Sequence, residues 1–290
     1  MDDLLREIRE LNANIGRIAG ALAPVADLAV LDRYRAFRAS AAKGILSIRG
    51  IGSPDPVRFR ELRGIDQPVA RLRENTEQFL DGLPCNNVLL YGPRGTGKSS
   101  AVKALLNQYG GKGLRMIEIP RSALIHIFEI QDMVRRRPEK YILFCDDLSF
   151  NEDDDTYVNV KTVLEGGLEK RPDNALIYAT SNRRHLMPEK IVDNIPVFSE
   201  GELQPAETVE EKMSLSDRFG LRLGFEHYSS ATYLDIIANY VSIRKVRVDG
   251  RDLHRMAMEW SIEHGGFSGR AARQFIDDLE GRLEKKKKRG

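Results

Sequence analysis

Apolar positions recur along this chain in two rhythms. Leu4, Ile8, Leu11, Ile15, Ile18 and Leu22 are spaced alternately by four and three, the seam of a helix near period 3.5. Pro24 ends or bends that helix. The seam docks either on the chain's own core or on a neighbour. A second helix is predicted from Asp32 to Lys43, and the glycines and prolines of Gly50 to Pro56 read as a linker. From Gly64 onward the rhythm changes. Short apolar runs at Val88–Tyr91, Leu114–Ile119, Tyr141–Cys145, Ala175–Ala179 and Leu221–Phe225 read as buried strands. Helices fill the gaps at Ser99–Tyr109, Leu124–Arg136, Asp155–Leu168 and, briefly, Pro188–Asn194. Strands alternating with helices imply a mostly parallel sheet covered on both faces. After Tyr228 only helical periodicity remains, over Ala231–Val241, Gly250–Glu263 and Ser268–Leu283. The expected organisation is a helical segment over 1–60, an α/β core over 61–228 and a small helical lid with a basic tail over 229–290.

Charge adds little at the level of the whole molecule and more at the level of segments. The 290 residues carry 45 Lys and Arg against 43 Asp and Glu, a net of +2, so no global field selects a partner. Arg33, Arg35, Arg38, Lys43, Arg49, Arg58, Arg60 and Arg63 are nevertheless gathered in one stretch, interleaved with Tyr34, Phe37 and Phe59, and the chain ends Lys285-Lys286-Lys287-Lys288-Arg289. Both segments suit nucleic-acid phosphates, with a solvated or self-docking basic surface as the competing reading. Two cysteines, Cys85 and Cys145, form no disulfide framework. No apolar run is long enough to span a membrane. Met1-Asp2-Asp3 is acidic where a secretory leader is basic, and a cytoplasmic location is the default. The five histidines show no metal-ligand spacing.

The chemistry centres on Gly92-Pro93-Arg94-Gly95-Thr96-Gly97-Lys98-Ser99, which fits the phosphate-loop pattern G-x-x-x-x-G-K-[ST] between a strand and a helix. Backbone N–H groups of such a loop and of the helix start point at phosphate oxygens. Lys98 would reach the β- and γ-phosphates and the Ser99 hydroxyl would ligate magnesium. The run Tyr141 to Cys145 ends in Asp146 and Asp147. The first acid would hold magnesium through water, and the second would orient or deprotonate an attacking water. Glu152 is a fallback base. The strand Ile177 to Ser181 ends in Asn182, which can hydrogen-bond that water or the γ-phosphate. Arg218 precedes the last strand. It reads either as a finger reaching a neighbouring subunit's γ-phosphate or as a structural partner of Asp217 or another acid. Arg270 opens the last helix, with Arg273 one turn on, where an arginine can close over phosphates.

In this order the pieces resemble the AAA+ ATPases over about residues 60–283. In that scheme Gly92–Ser99, with Ser100 following, is Walker A, and Asp146 and Asp147 are Walker B. Asn182 is sensor 1, Arg218 the arginine finger and Arg270 sensor 2, while Gly64-Ile65-Asp66 looks like the family's motif beside adenine, with Ile65 contacting the base. Four longer strings, Tyr91–Ser100, Phe144–Phe150, Val163–Glu169 and Ala179–Leu186, are similar to one bacterial AAA+ group, domain of unknown function 815. The resemblance implies a P-loop NTPase core with a lid, ATP and Mg2+ as cofactors, and assembly as a homo-oligomer in which Arg218 completes a shared site. It implies no particular client. Asp147 stands where most relatives carry the longer Glu. Pro120–His126 lacks the aromatic and glycine of protein-threading members.

Three functions compete on this evidence. The first is an ATP-hydrolysing machine that remodels or loads a macromolecular partner. The second, motivated by Asp147, is a nucleotide-gated binding module with little turnover. The third is a small-molecule P-loop kinase, against which Asn182 and the helical tail argue.

Overall fold

A computed structural model describes residues 28–150, 156–165, 170–183, 186, 197–199, 202–204 and 215–288. The seam from Leu4 to Leu22, Glu152 and the short helix expected at Pro188–Asn194 lie outside the described residues. Helix α1 is the single turn Val30–Arg33, and strands β1 (Ala36–Ala42) and β2 (Ile45–Gly50) follow it. Then come α2 (Asp66–Leu80), β3 (Val88–Tyr91), α3 (Lys98–Tyr109), β4 (Leu114–Glu118), α4 (Ile127–Arg135) and β5 (Lys140–Cys145). The chain continues through α5 (Thr156–Glu165), β6 (Ala175–Ser181), the small pair β7 (Val197–Ser199) and β8 (Glu202–Gln204), and β9 (Leu221–Gly224). It closes with α6 (Ser230–Arg244), α7 (Gly250–Glu263) and α8 (Gly269–Lys287).

Seven strands form one sheet in the order β2-β1-β4-β5-β6-β3-β9, parallel throughout except where β2 turns back on β1. The period-2 geometry of a strand sorts each run between two faces. Leu89, Tyr141, Leu143 and Ile177 pack one way, against Ile127, Ile130 and Val134 of α4 and Val160 and Val163 of α5. Val88, Leu90, Ile142, Phe144 and Tyr178 pack the other way, against α2 and α3. Each of these buried aliphatic side chains is worth about 1.5–3 kcal/mol relative to exposure. The second cluster runs on without interruption into Tyr233, Ile236, Phe275 and Ile276 of the C-terminal helices, so the lid shares a core with the sheet.

The helix expected over Asp32–Lys43 is overturned. Helix α1 stops at Arg33 and the alanine-rich stretch after it is strand β1. Two features outweigh its helical composition. Phe37, Ala39 and Leu46 alternate with exposed residues at period 2 and are buried. The two residues Lys43 and Gly44 join Ala42 to its partner Ile45, both at positive φ (51° and 76°), as a tight hairpin demands. Elsewhere among the described residues the expected strands and helices are present, with ends shifted by a few residues. Leu124–His126, expected as the start of a helix, instead ends a 3₁₀ stretch over Arg121–His126 that leads into α4.

Candidate functional site

Strands β5, β6 and β3 are neighbours and parallel, so their C-terminal ends deliver Asp146, Asn182 and Gly92 to one edge of the sheet. Ligands of open parallel sheets bind at that edge. There a cleft of about 580 Å³ opens between the core and the lid, within the usual range for a small-molecule site. Its cations, Arg63, Arg94, Lys98, Lys103, Arg270 and Arg273, outnumber its acids, Glu61, Asp146 and Asp147. An anionic ligand is what this balance favours.

The start of α3 points the same way. Helices α6, α7 and α8 are each capped by a side chain, from Ser229, Asp249 and Ser268. Helix α3 begins after Gly97 with no side-chain cap, which leaves its first N–H groups turned to the cleft as an anion site. Lys98, only 6% exposed, folds its ammonium back onto the loop and donates to the carbonyls of Gly92 and Pro93, both at 2.6 Å. Its Nζ also lies 3.4 Å from Asn182 Oδ1. Burial pushes the Lys98 pKa down to about 8. Asp147 and Asp146 oppose that shift and Arg94 adds to it.

Asp146 Oδ1 receives two hydroxyls, Ser99 Oγ at 2.6 Å and Thr180 Oγ1 at 2.6 Å. A carboxylate beside a hydroxyl is a hard-oxygen donor set and fits magnesium. The same Thr180 hydroxyl accepts the backbone N–H of Asp147 at 2.9 Å. Thr180 thereby sets the two acids relative to each other. Asp147 has a positive φ of 54°, a conformation that Asp tolerates better than most residues. Asn182 Nδ2 donates to Asp147 Oδ1, and Arg94 Nη2 lies 3.8 Å from Oδ2.

The lid touches the loop through the loop's own backbone. Gly269 N–H donates to Gly95 O at 2.8 Å and Tyr228 OH to Thr96 O at 2.7 Å. Gly95 has φ +76°, and a Cβ there would stand 2.8 Å from Ser268 Cβ, so a glycine is required for this approach. A strap over residues 55–63 forms part of the cleft wall and ties both sides together. Asn107 Nδ2 of α3 donates to Asp55 O at 2.8 Å and to Val57 O at 2.7 Å, while Arg63 Nη2 donates to Asn239 Oδ1 of α6 at 2.9 Å.

Most of the sequence-selected residues converge here: Arg94, Gly95, Gly97, Lys98, Ser99, Ser100, Asp146, Asp147, Asn182 and Arg270 all line the cleft. Gly92 and Pro93 hold Lys98 from behind, and the Thr96 hydroxyl donates to Pro93 O at 2.8 Å. Ile65 is buried against Gly97. The apolar wall is supplied instead by Val57, Leu62, Tyr228, Ile236 and Tyr240. Arg218 lies outside the cleft lining, in the turn before β9, whose first residue pairs with Val88 at the opposite end of β3 from the loop. Asp217, its suggested partner, pairs with Arg222. Thr180, Tyr228 and the strap were not singled out as site residues from sequence. Only Thr180 had a legible signal, as a polar residue at the end of an apolar strand.

A profile of the family described as "Protein of unknown function (DUF815)" matches residues 32–283. Among curated proteins, proteasome-activating nucleotidase 1 of Haloferax volcanii is 33% identical over 113 residues, covering 33% of this chain and 27% of the relative, so the match spans about a quarter of that protein's length. Among solved structures, the RuvB Holliday junction branch migration motor of Thermotoga maritima is similar, with TM-score 0.53 and 16% identity over 79% of this chain and 67% of that one. Two single-substitution variants of the same motor give the same score. At this identity the likeness is one of fold.

Proposed function

This chain belongs to the DUF815 family and carries the AAA+ fold, and on that premise we propose that it is a cytoplasmic ATPase that couples ATP binding and hydrolysis to work on a macromolecular partner. The observation that carries the reading is the convergence of Ser99 and Thr180 on Asp146, with Asp147 held beside Asn182 across from Lys98. In this scheme the Lys98 ammonium leaves the Gly92 and Pro93 carbonyls for β- and γ-phosphate oxygens. Ser99 and Asp146 would hold magnesium, which when bound offsets phosphate charge. Asp147 accepts the proton of the attacking water and Asn182 orients that water. Arg270 closes from the lid. Arg218, far from its own chain's loop, serves the site of a neighbouring copy in a homo-oligomer.

Steady-state ATP turnover and nucleotide titration test the proposal. Lys98→Ala should abolish nucleotide binding. Asp147→Asn and Arg218→Ala should each retain binding and lose turnover. Turnover that survives Arg218→Ala would remove the shared site from the scheme. The second reading, a nucleotide-gated module with little turnover, is favoured by one observation: both Asp147 oxygens are already engaged, by Asn182 and Arg94. Robust wild-type turnover that disappears in Asp147→Asn would eliminate it.

A further inference from the structure

Two helix ends at the far side of the lid carry an unbalanced charge. Helices α6 and α8 run side by side in the same direction. Both start at the phosphate loop, whose carbonyls accept from Tyr228, just before α6, and from Gly269 of α8. In the last turn of α6, Arg244 Nη1 reaches Asp277 Oδ1 at 2.6 Å and Glu280 Oε2 at 3.1 Å on α8. Beyond these pairs the acids run out. Lys245 and Arg247 follow α6, Lys285–Lys288 end α8, and all six are exposed. Arg282 is taken by Asp278 at 2.7 Å, but none of the six has an ion pair among the described residues. The carboxylates beside them are Glu284 and Asp249, and Asp249 accepts the first N–H groups of α7. Val246, Val248 and Leu283 pack on one apolar cluster, which holds the two basic segments together. A helix C-terminus favours cations, but it presents only about half a negative charge, so two such ends leave most of this charge uncompensated.

Lys245 adds an independent sign. It closes α6 at φ 56° and ψ 38°, in the left-handed region, and the next N–H, of Val246, bonds back to Val241 O at 3.0 Å. Glycine is the usual residue at such a helix end, and a side chain there is strained. A lysine kept where it costs stability points to a use outside the fold. We infer that this end of the lid binds a nucleic-acid duplex through its phosphates. No large exposed apolar side chain among the described residues falls within 240–256 or 277–288. The surface therefore has no ring on which an unpaired base could stack and no apolar anchor for a bilayer. Cations alone, on two segments held side by side, suit the phosphate rows of a duplex and read no bases. The 19 residues of α8 extend about 28 Å at about 1.5 Å each, which sets this surface at the opposite end of the lid from the nucleotide cleft. The inference does not rest on that cleft.

Binding of a labelled DNA duplex of about twenty base pairs to the full chain without nucleotide, followed by fluorescence anisotropy between roughly 50 and 300 mM salt, tests it. Lys245→Gly combined with Arg247→Ala should flatten the log–log salt slope by about 1.8, at about 0.9 per lost phosphate contact, and Lys286→Gln with Lys287→Gln should flatten it by a similar amount. Lys245→Gly alone should flatten the slope by about 0.9 and raise the thermal midpoint, because glycine relieves the left-handed strain. A merely structural lysine would move the midpoint and leave the slope. Duplex RNA of the same length shows which helix form fits better, and binding of either duplex supports the surface. Circular dichroism confirms that each variant is folded. The inference is overturned by no binding at low salt, by a slope unchanged in Lys245→Gly with Arg247→Ala, or by tighter binding of the single strand than of the duplex. Binding to phosphatidylserine vesicles but to neither duplex overturns it equally.

Discussion

Nucleotide affinity should fall as pH rises through the range where Lys98 loses its proton. Lys98 is 6% exposed, and its ammonium is bonded to two neutral carbonyls, Gly92 O and Pro93 O. Burial holds its pKa down to about 8, with Asp147 and Asp146 acting upward and Arg94 downward. Only the charged form attracts phosphate, so the apparent dissociation constant grows by 1 + 10^(pH − pKa) as the competent fraction shrinks. That factor is about 1.3 at pH 7.5 and about 30 at pH 9.5, a net weakening of about 25-fold, or about 1.9 kcal/mol. Stability of the ligand-free protein should move in the opposite direction. Between pH of about 8 and 10.5 the unfolded chain holds a proton on this lysine that the folded chain has released, so this group's contribution to stability rises with pH across that window. Titration calorimetry with ADP at fixed ionic strength and free magnesium measures the first effect. The same titrations in buffers of different ionisation enthalpy should reveal proton uptake on binding near pH 9. Lys98→Arg carries a charge that does not titrate there, and its affinity, weaker or not, should be flat with pH. A flat wild-type profile, or an equally steep one in Lys98→Arg, would refute the assignment of the effect to this lysine.

Two further outcomes follow from single contacts. Gly95→Ala forces a side chain into φ +76° and into Ser268 Cβ at 2.8 Å. It should cost roughly 1–3 kcal/mol of stability and weaken nucleotide binding, as read by thermal unfolding and titration; an unmoved midpoint would mean that the lid does not rest on the loop. Thr180→Val keeps the shape of a residue 2% exposed but strips the hydroxyl that joins Asp146 to the Asp147 N–H. It should destabilise by roughly 1–3 kcal/mol and lower kcat more than it raises KM, and unchanged kcat would show that the spacing of the two acids is set elsewhere.

What the sequence made legible, and what it hid, divides by the range of the interactions. The loop at Gly92–Ser99 is local: glycines, lysine and hydroxyl within eight residues carry their own chemistry, and an apolar strand before it fixes the context. Asp146 and Asn182 are legible because each ends an apolar run, and the parallel order of β5, β6 and β3 brings those ends together. Thr180 acts only through that order, lying level with Leu90 of β3 and one residue beyond the Ala179–Cys145 pair, so its role depends on register. Val57, Leu62, Tyr228, Ile236 and Tyr240 come from three separated segments and share a wall only because the strap and lid close on the loop. Residues 36–43 misled for a different reason. Their alanines and Arg38 favour a helix by intrinsic propensity, whereas burial of Phe37, Ala39 and Leu46 beside β4 favours a hairpin. Packing against a pre-existing sheet edge outweighs the tenths of a kcal/mol per residue that propensity supplies.

The loop's carbonyls suggest how the site communicates with the rest of the molecule. Two of them, Gly92 O and Pro93 O, are occupied by the Lys98 ammonium, and the two nearer the tip, Gly95 O and Thr96 O, accept from Gly269 and Tyr228 on the lid side. The Lys98 contact and the lid contact therefore share the five-residue stretch Gly92–Thr96. If phosphate draws Lys98 away, the first pair of carbonyls is released and that stretch is free to shift, and any shift reaches α6 and α8 through hydrogen bonds rather than through a distant relay. The strap gives the lid a second attachment on the far side of the cleft, through Asn107 to the core and Asn239 to α6. With both walls anchored to the lid, the physical requirement for coupling is met: a ligand contact at one end of an element whose other end holds the moving part. The magnitude of that coupling is bounded by the few hydrogen bonds involved, each about 0.5–1.5 kcal/mol net. A lid responding to nucleotide in this fold should therefore change its angle by redistributing a handful of polar contacts, with the shared apolar core of Tyr233, Ile236 and Phe275 kept intact.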